Sequence, residues 1–501
     1  MQLKDISRAV QAIRVDGPMD RDITGLTCDS RQVMPGMIFV AVPGAHVDGH
    51  DFIPNAIDRG ATAILCERNG FVSPRATKIK VASVRHALAQ AAAAFYGHPA
   101  QKLKVIGVTG TNGKTTVAFM IKHILEAAGT KTGLIGTVRY EVGDRVIPAS
   151  RTTPEALETQ RLMAQMLQAE CKACVMEVSS HSLEQHRVGE VEFDVAVFTN
   201  LTQDHLDYHG TMENYFAAKQ KLFTFGAAGS KRATHIINID DSYGVRLWRD
   251  GQAEVKLTYA LHEHAHVRAT HIHLSKDASR FRVDTPQGGF NCQLPLIGRH
   301  NIYNALASIG CALGLEVPLE TVQLALAVMP PVPGRLESVA LGQPFGVFVD
   351  YAHTDDALHN VLTTLREMTP GRLILAFGCG GNRDAGKRPK MGKVAAQQAD
   401  YTIITSDNPR REAAADIAHQ IELGYREARG DGYAIELDRR RAITEVIGMA
   451  REGDTVLIAG KGHETYQEYD DTVIPFDDRV FARETLEGLG FKKGLRRHEK
   501  H

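Results

Sequence analysis

Residues 104–116, KVIGVTGTNGKTT, constrain this chain more than any other stretch. Lys104–Val108 is short, mostly apolar and rich in β-branched residues, which predicts a buried strand. TGTNGKTT follows, and then VAFMIKHILEAAG, whose apolar residues recur at helical spacing. Strand, Gly-rich turn and helix in that order make an anion site, because successive backbone N–H groups and the positive end of the helix face the loop. Lys114 can reach the outer phosphates of a nucleotide, and the Thr115 hydroxyl can touch Mg2+. The spacing departs from the usual nucleotide loop: five residues rather than four separate Gly107 from Gly113, and Val108 stands where the first glycine belongs. The plain alternative is an ordinary βα turn containing Lys-Thr. The legible strand and helix on either side favour ATP, with Gly110, Thr111, Asn112, Gly113, Lys114, Thr115 and Thr116 as the cradle.

At 501 residues the chain exceeds a single hydrophobic core, and two or three domains are expected. A hydrophobic fraction of 43% with 6% aromatics fits a soluble globular protein. Lys+Arg 58 against Asp+Glu 59 leaves no electrostatic case for nucleic acid or an acidic membrane surface as main partner. The seven cysteines are scattered without a repeated CxxC, so metal or redox use of Cys171 and Cys174 is not expected. MQLKDISRAV carries no apolar signal stretch, and no run nears the roughly 18 apolar residues of a membrane span. Cytoplasmic work, without membrane insertion and as a monomer, is the expectation.

Residues 1–99 alternate short apolar runs with turn signals. IFVAV and TAILC read as strands, FIPNAIDRG as a short helix, and SVRHALAQAAAAFYGHP as a helix closing at a boundary. Ser30 and Arg31 fall in a loop after the first strand, as loop residues or as ligand contacts. In residues 100–333, TGLIGTV is a second strand, and Pro154 is expected in the first turn of an amphipathic helix after Thr152-Thr153. Glu177 lies at the end of a buried strand, where a carboxylate costs several kcal/mol unless it is paired or holds a cation. Both a Mg2+ ligand and a structural acid remain open. His205 and His209 stand four apart in a loop-like stretch without HExxH, so one His near Mg2+ is reasonable and Zn is not. Lys219, in a helix from Met212 to about Phe223, reads by default as a solvated lysine. Residues 255–295 alternate like edge strands. Asn301 and Asn304 then either present two amides to a base or reflect simple capping by Asn301.

MPPVPGR is linker chemistry before a third unit, 334–501, of strands alternating with helices. Its polar clusters Asp350–His353, Gly378–Arg383, Asp407–Arg410 and Lys461–Glu464 each follow a strand's C-terminal end, where parallel sheets bind ligands. FKKGLRRHEKH reads as a frayed basic tail.

TGTNGKTT, EVSSHSLEQHR, NLTQDHLDYHG, YFAAKQKLF, GRHNIYNAL, PGRLE, DYAHT, GCGGNRD, DNPR and KGHE, in this order along nearly the whole chain, resemble the Mur ligases. The resemblance implies three α/β domains: an N-terminal uridine-binding domain, a central P-loop-like ATPase domain and a C-terminal Rossmann-like domain. It implies an ATP-dependent ligase adding meso-2,6-diaminopimelate to UDP-N-acetylmuramoyl-L-alanyl-D-glutamate through an acyl phosphate. By the same resemblance, Ser30 and Arg31 face the uridine, and Thr152, Thr153, Ser179, Gln185 and Arg187 hold the UDP-muramoyl dipeptide. Lys114 and Thr115 serve phosphate and Mg2+; Glu177 and His205 are magnesium ligands, and Lys219 is a carbamate made from CO2 that helps hold a second Mg2+. Asn301 and Asn304 flank adenine, and Arg335 and Asp350 touch the nucleotide. Arg383, Asp407, Asn408, Pro409, Arg410, Gly460 and Glu464 form the amino-acid pocket, DNPR being the family's signature for meso-diaminopimelate. Asp355 departs from a common proline and bears on a helix start. The alternatives are an L-lysine-adding relative, which lacks DNPR, a folylpolyglutamate-type ligase, which lacks the uridine domain, and a nucleotide-gated module without ligase activity.

Overall fold

The computed structural model describes residues 1–501 except 45–46, 69–70, 72, 225–230, 232, 252, 254, 276 and 493–501. The basic tail from residue 493 onward therefore lies outside the described residues. Three main sheets follow one another along the chain, each with its own core on both faces, which makes this a multi-domain α/β protein.

The first sheet runs Arg14–Asp16, Thr77–Lys80, Ala63–Cys66, Met37–Val40, Gly25–Thr27, parallel except at Arg14–Asp16. The expected short helix is a 3-10 turn, Gly49–Phe52, running into Ile53–Asp58. The Ala-rich helix Val84–Phe95 buries its small side chains and packs on the helix Ala156–Gln168 of the next unit.

The central sheet places Lys104–Thr109 between Ala173–Glu177 and Val195–Phe198, all parallel. Glu177 pairs in register with Val108, so its carboxylate lies level with the start of the phosphate loop. Helices Lys114–Ala127, Arg299–Gly314 and Leu319–Ala327 cover one face, and Ala156–Gln168 and Met212–Gln220 the other. The alternation over 255–295 appears as Val255–Ala260, Val267–Leu274, Ser279–Thr285 and Gly288–Leu294. The first of these is parallel to its neighbour Thr234–Asn238 and the last two are antiparallel. Two expectations are corrected here. Helix Ala156–Gln168 starts after Pro154, because Thr153 is tied to Glu177 O and Ser179 N and holds the chain extended through Glu155. The helix from Met212 ends at Gln220 and tightens into a 3-10 turn, Lys221–Phe223.

The third sheet orders Glu337–Ser338, Gly346–Asp350, Thr455–Ala459, Leu373–Phe377, Tyr401–Ile404 and Tyr433–Ile435, parallel except at the first pair. All four expected polar clusters lie at strand C-terminal ends on one edge. Asp355 takes the first position of helix Asp355–Met368, capped by Thr354, so the missing proline costs no helix start. A hairpin, Tyr466–Tyr469 with Thr472–Pro475, and the helix Asp478–Gly488 complete the unit. Among the described residues no helix is long and apolar enough to cross a membrane.

Candidate active site

The phosphate loop requires its glycines. At Gly110, φ 147°, a Cβ would come within 1.8 Å of Thr199 Oγ1, and at Gly113, φ 88°, within 2.5 Å of Asn304 Oδ1. Gly113 caps helix Lys114–Ala127, whose first turn carries Thr115 and Thr116, both buried. Lys114 Nζ curls back over the loop and donates to Gly110 O at 2.9 Å and Thr111 O at 2.8 Å. Burial lowers its pKa, while the charges of Glu177 and Asp204 raise it. Glu177 is fully buried. Its Oε1 accepts from Thr137 N at 2.8 Å, and its Oε2 from the hydroxyls of Thr115 at 3.0 Å and Thr137 at 2.9 Å. These donors are neutral, and among the described residues no cation forms an ion pair with this carboxylate.

The default reading of Lys219 as a solvated lysine is corrected: it is 2% exposed. The helix Met212–Gln220 turns it inward against the Tyr215 ring, 4.6 Å from the centroid. Its Nζ donates to Gly110 O at 2.8 Å, the same oxygen that Lys114 uses. Two unit charges about 5 Å apart repel by roughly 3 kcal/mol at the effective dielectric of such a site. Burial first, and then Lys114, push the Lys219 pKa well below that of a free lysine, with Asp204 opposing. Burial and the Lys114 charge thus both favour the neutral amine at Lys219.

His205 sits at a left-handed φ of 55°, capping the short helix Leu206–His209. Its ring stacks edge-on at 4.9 Å from His181, and burial lowers its pKa. Asp204 pairs with it, Nε2 to Oδ2 at 3.4 Å, and lies in the field of Lys114 and His353. Asp204 and Thr137 are functional neighbours that sequence reasoning did not single out. An acid directly preceding the candidate His was the available signal for Asp204; Thr137 offered none.

The five residues expected around the dipeptide form one hydrogen-bonded lattice beside Glu177. Thr152 Oγ1 shares a bond with Thr137 Oγ1 at 3.0 Å, and Thr153 Oγ1 donates to Glu177 O at 2.7 Å. Ser179 caps helix Ser180–Glu184, and Arg187 Nη1 donates to Thr153 O while Nη2 donates to Gln185 Oε1. Arg187 Nε is buried and has no hydrogen-bond partner among the described residues. Ser30 is buried in a single 3-10 turn, Ser30–Gln32, and Arg31 is exposed and engaged by Asp29.

Asn301 does not cap its helix, which begins at Arg299 behind Gly298. Asn301 Nδ2 donates to Ile297 O and its Oδ1 accepts from Asn304 Nδ2, so the pair is buried and pre-oriented beside Gly113. From the linker, Arg335 stacks 4.7 Å over Tyr351 and donates to Thr115 Oγ1 at 2.9 Å. Asp350 accepts from Leu336 N and Ala352 N; burial raises its pKa and Arg335 opposes. Asp356 of the C-terminal unit, unforeseen, accepts from Asn112 Nδ2 at 2.7 Å and Thr202 Oγ1 at 2.9 Å. It thus ties the phosphate loop to the third sheet. Asp356→Ala is expected to raise the KM for ATP about fivefold, the equivalent of ~1 kcal/mol of lost hydrogen bonding. Steady-state titration of ATP checks this.

In the third unit, Asn408 Nδ2 donates to Glu464 Oε2 at 2.8 Å, and buried Lys461 donates to both Asn408 Oδ1 and Glu464 Oε2 at 2.9 Å. Burial raises the Glu464 pKa while Lys461 lowers it. Gly460, φ 113°, stays bare because a Cβ would lie 2.6 Å from Asp407 Oδ2. Pro409 O lies against Gly381, so the Asp407–Arg410 and Gly378–Arg383 loops abut. Arg383 is exposed and, among the described residues, bonds only the carbonyl of Asn382. Arg388, 1% exposed, grips Glu412 with both Nη atoms and Gly380 O with one, bracing the two loops from below.

Three family descriptions match the chain: Mur ligase family, catalytic domain, over residues 22–96; Mur ligase middle domain over 108–312; and Mur ligase, glutamate ligase domain, over 334–462. A UDP-N-acetylmuramoyl-L-alanyl-D-glutamate–2,6-diaminopimelate ligase of Solibacter usitatus is 46% identical over 98% of this chain and 99% of its own. One from Syntrophomonas wolfei is 45% identical over 97% and 99%. A solved structure of a ligase of that name superimposes with a TM-score of 0.69 at 31% identity, over 98% of this chain and 99% of its own. The phosphate loop, the buried Glu177 and Lys219 and the DNPR loop thus stand in a chain that belongs to the Mur ligase family, alongside relatives named UDP-N-acetylmuramoyl-L-alanyl-D-glutamate–2,6-diaminopimelate ligase.

Proposed function

We propose that this chain is an ATP-dependent ligase that joins meso-2,6-diaminopimelate to UDP-N-acetylmuramoyl-L-alanyl-D-glutamate in peptidoglycan precursor synthesis, working in the cytoplasm as a monomer. The observation that carries the reading is the meeting of two sites across one interface. The phosphate loop, beside Glu177 and Lys219, is tied through Thr115 to Arg335 of the linker and through Asn112 to Asp356 of the unit that carries the Asp407–Arg410 loop. In this reading residues 1–99 hold the uridine end through Ser30 and Arg31, residues 100–333 hold ATP, and residues 334–501 bring the incoming amino acid.

The D-glutamyl side-chain carboxylate attacks the terminal phosphorus of ATP, releasing ADP and leaving an acyl phosphate. The amine of diaminopimelate then attacks the carbonyl carbon, phosphate departs and an amide forms. Both reactants of the first step are anionic, so the chain's work is positioning and charge neutralisation. Lys114 and the amides of residues 110–115 face the phosphates. Thr152, Thr153, Ser179, Gln185 and Arg187 hold the UDP-muramoyl dipeptide, and the buried Asn301–Asn304 pair and Arg335 take the nucleotide. The residues fit divalent metal: a hydroxyl, a buried carboxylate without an ion-pair partner, and an imidazole and a lysine amine both held toward neutrality. Thr115, Glu177, His205 and Lys219 as its carbamate would hold the two Mg2+ ions, which would supply further neutralisation of the phosphates. Among the described residues no three His, Cys, Asp or Glu side chains converge on one point, so such a site draws on hydroxyl, carbamate and phosphate oxygens.

Arg410 favours diaminopimelate over L-lysine, because only the former offers a second carboxylate for paired N–H donors. Incubation of the UDP-muramoyl dipeptide and ATP with meso-diaminopimelate, L-lysine or no amino acid tests the reading by phosphate release and product mass. Turnover is expected with the first alone. Arg410→Ala is expected to raise the KM for diaminopimelate about tenfold or more with the KM for ATP nearly unchanged; equal effects on both would remove Arg410 from amino-acid recognition.

A further inference from the structure

The hairpin Tyr466–Tyr469 with Thr472–Pro475 stands apart from the three main sheets and docks on the Asp407–Arg410 loop. Arg410 is left-handed, φ 54°, a conformation that costs a residue with a Cβ. Two main-chain bonds to the hairpin hold it there: Arg410 N donates to Glu468 O at 3.0 Å and Asp470 N to Arg410 O at 2.7 Å. The side chains repeat the link. Arg410 Nε donates to Glu468 Oε2 at 2.8 Å, and Nη1 to Gly381 O at 2.8 Å. Nη2 makes no bond among the described residues.

A guanidinium is a rigid planar fork, so two anchored nitrogens fix the direction of the third. Here Nε is occupied by Glu468 and one hydrogen of Nη1 by Gly381 O, so Nη2 and the second hydrogen of Nη1 remain for a carboxylate. The same residue also reaches the other wall of the pocket. Glu468 N donates to Asn408 Oδ1 at 3.1 Å, an oxygen that also accepts from Lys461, and Asn408 Nδ2 in turn donates to Glu464. One residue of the hairpin therefore orients a cationic group and an amide–carboxylate group a few residues apart. That pairing of charges matches an amino-acid centre, whose carboxylate and ammonium need fixed donors and acceptors at a fixed separation.

We propose that Glu468 is a specificity-setting positioning residue, which through Arg410 selects a substrate bearing a second amino-acid centre. The proposal rests on the reading of Arg410 given above. The Glu468 carboxylate already balances the Arg410 charge, so a ligand gains there by matching the exposed edge of the fork, not by being anionic in general. A substrate whose far end is a bare amine finds no acceptor on that edge.

Kinetics of the full chain with all three substrates test this. Glu468→Ala is expected to raise the KM for meso-diaminopimelate about tenfold, with kcat and the KM values for ATP and the UDP-muramoyl dipeptide within about twofold. Glu468→Gln keeps an acceptor for Nε and is expected to restore the diaminopimelate KM to within about twofold of the parent. Glu468→Asp keeps the charge but not the reach, and is expected to behave like the alanine variant; it carries the test if alanine lowers the melting temperature. An unchanged diaminopimelate KM in both the alanine and aspartate variants overturns the proposal. So does a parallel rise in all three KM values, which marks a structural role only. A parent chain inactive with diaminopimelate would instead overturn the proposed function, before any variant is compared.

Discussion

Lys219→Ala is expected to lower turnover by about a thousandfold with the fold intact, and a short carboxylic acid added to the assay is expected to return part of it. The expectation rests on where the amine lies. It is buried, shares the Gly110 carbonyl with Lys114 and, among the described residues, has no carboxylate in ion-pair range, so burial and the neighbouring charge both favour the neutral amine over the ammonium. A neutral amine retains the lone pair that reacts with CO2, whereas an ammonium beside a metal site would repel the ion. Folding should lose little, since the side chain makes one hydrogen bond, worth about 1 kcal/mol, besides the packing of its stem on Tyr215. Turnover with and without acetate or formate, alongside a thermal melt, separates the possibilities. Absence of rescue together with an unmodified lysine mass in the active enzyme would return Lys219 to a structural role as the brace of Gly110.

What could be read ahead of the structure was local. The strand, loop and helix at 104–127 announce themselves because each is built from contiguous residues with one periodicity. The four polar clusters of the third unit were legible for the same reason, each directly following an apolar strand. What was not legible depends on partners far apart in the chain. Asp356 meets Asn112 across 244 positions, and nothing near either residue marks the contact. Arg439 and Asp478, both fully buried, pair across 39 positions, and Arg439 also ties the ends of two strands through Ser406 O and Ala459 O. By composition both look like surface charges. Lys219 misled for a related reason: its helix shows no clear apolar stripe, so the inward turn of one lysine is decided by the phosphate loop above it. The Arg139–Val142 and Arg145–Pro148 hairpin escaped because its strands are four residues long and one is largely exposed.

Glu177→Gln is expected to abolish detectable turnover while leaving the melting temperature of the nucleotide-free chain unchanged or higher, and the sign of that second effect is the discriminating part. A carboxylate fully removed from water costs several kcal/mol unless cations or strong donors compensate it. Glu177 has three neutral donors, from Thr115 and the backbone and side chain of Thr137, and among the described residues no cation within ion-pair distance. Arg335, the nearest candidate by contact, donates to Thr115 rather than to the acid. Its charge is therefore only partly satisfied before ligand arrives, and Lys114 feels it as a field across the loop. Glutamine keeps the size and one acceptor oxygen, and the two threonine hydroxyls can rotate to accept from its amide. Gly136 leaves space for either group, since a Cβ there would sit 2.5 Å from Oε1. Removing the charge thus relieves the empty protein and disables the one that must hold phosphate and metal. If Glu177 were instead a structural anchor, the same substitution would break a satisfied buried carboxylate network and lower the midpoint by several degrees while sparing part of the activity. Melting curves with and without MgATP, read beside turnover, distinguish the two: the functional assignment also requires that the stabilisation conferred by MgATP on the parent be lost in the variant.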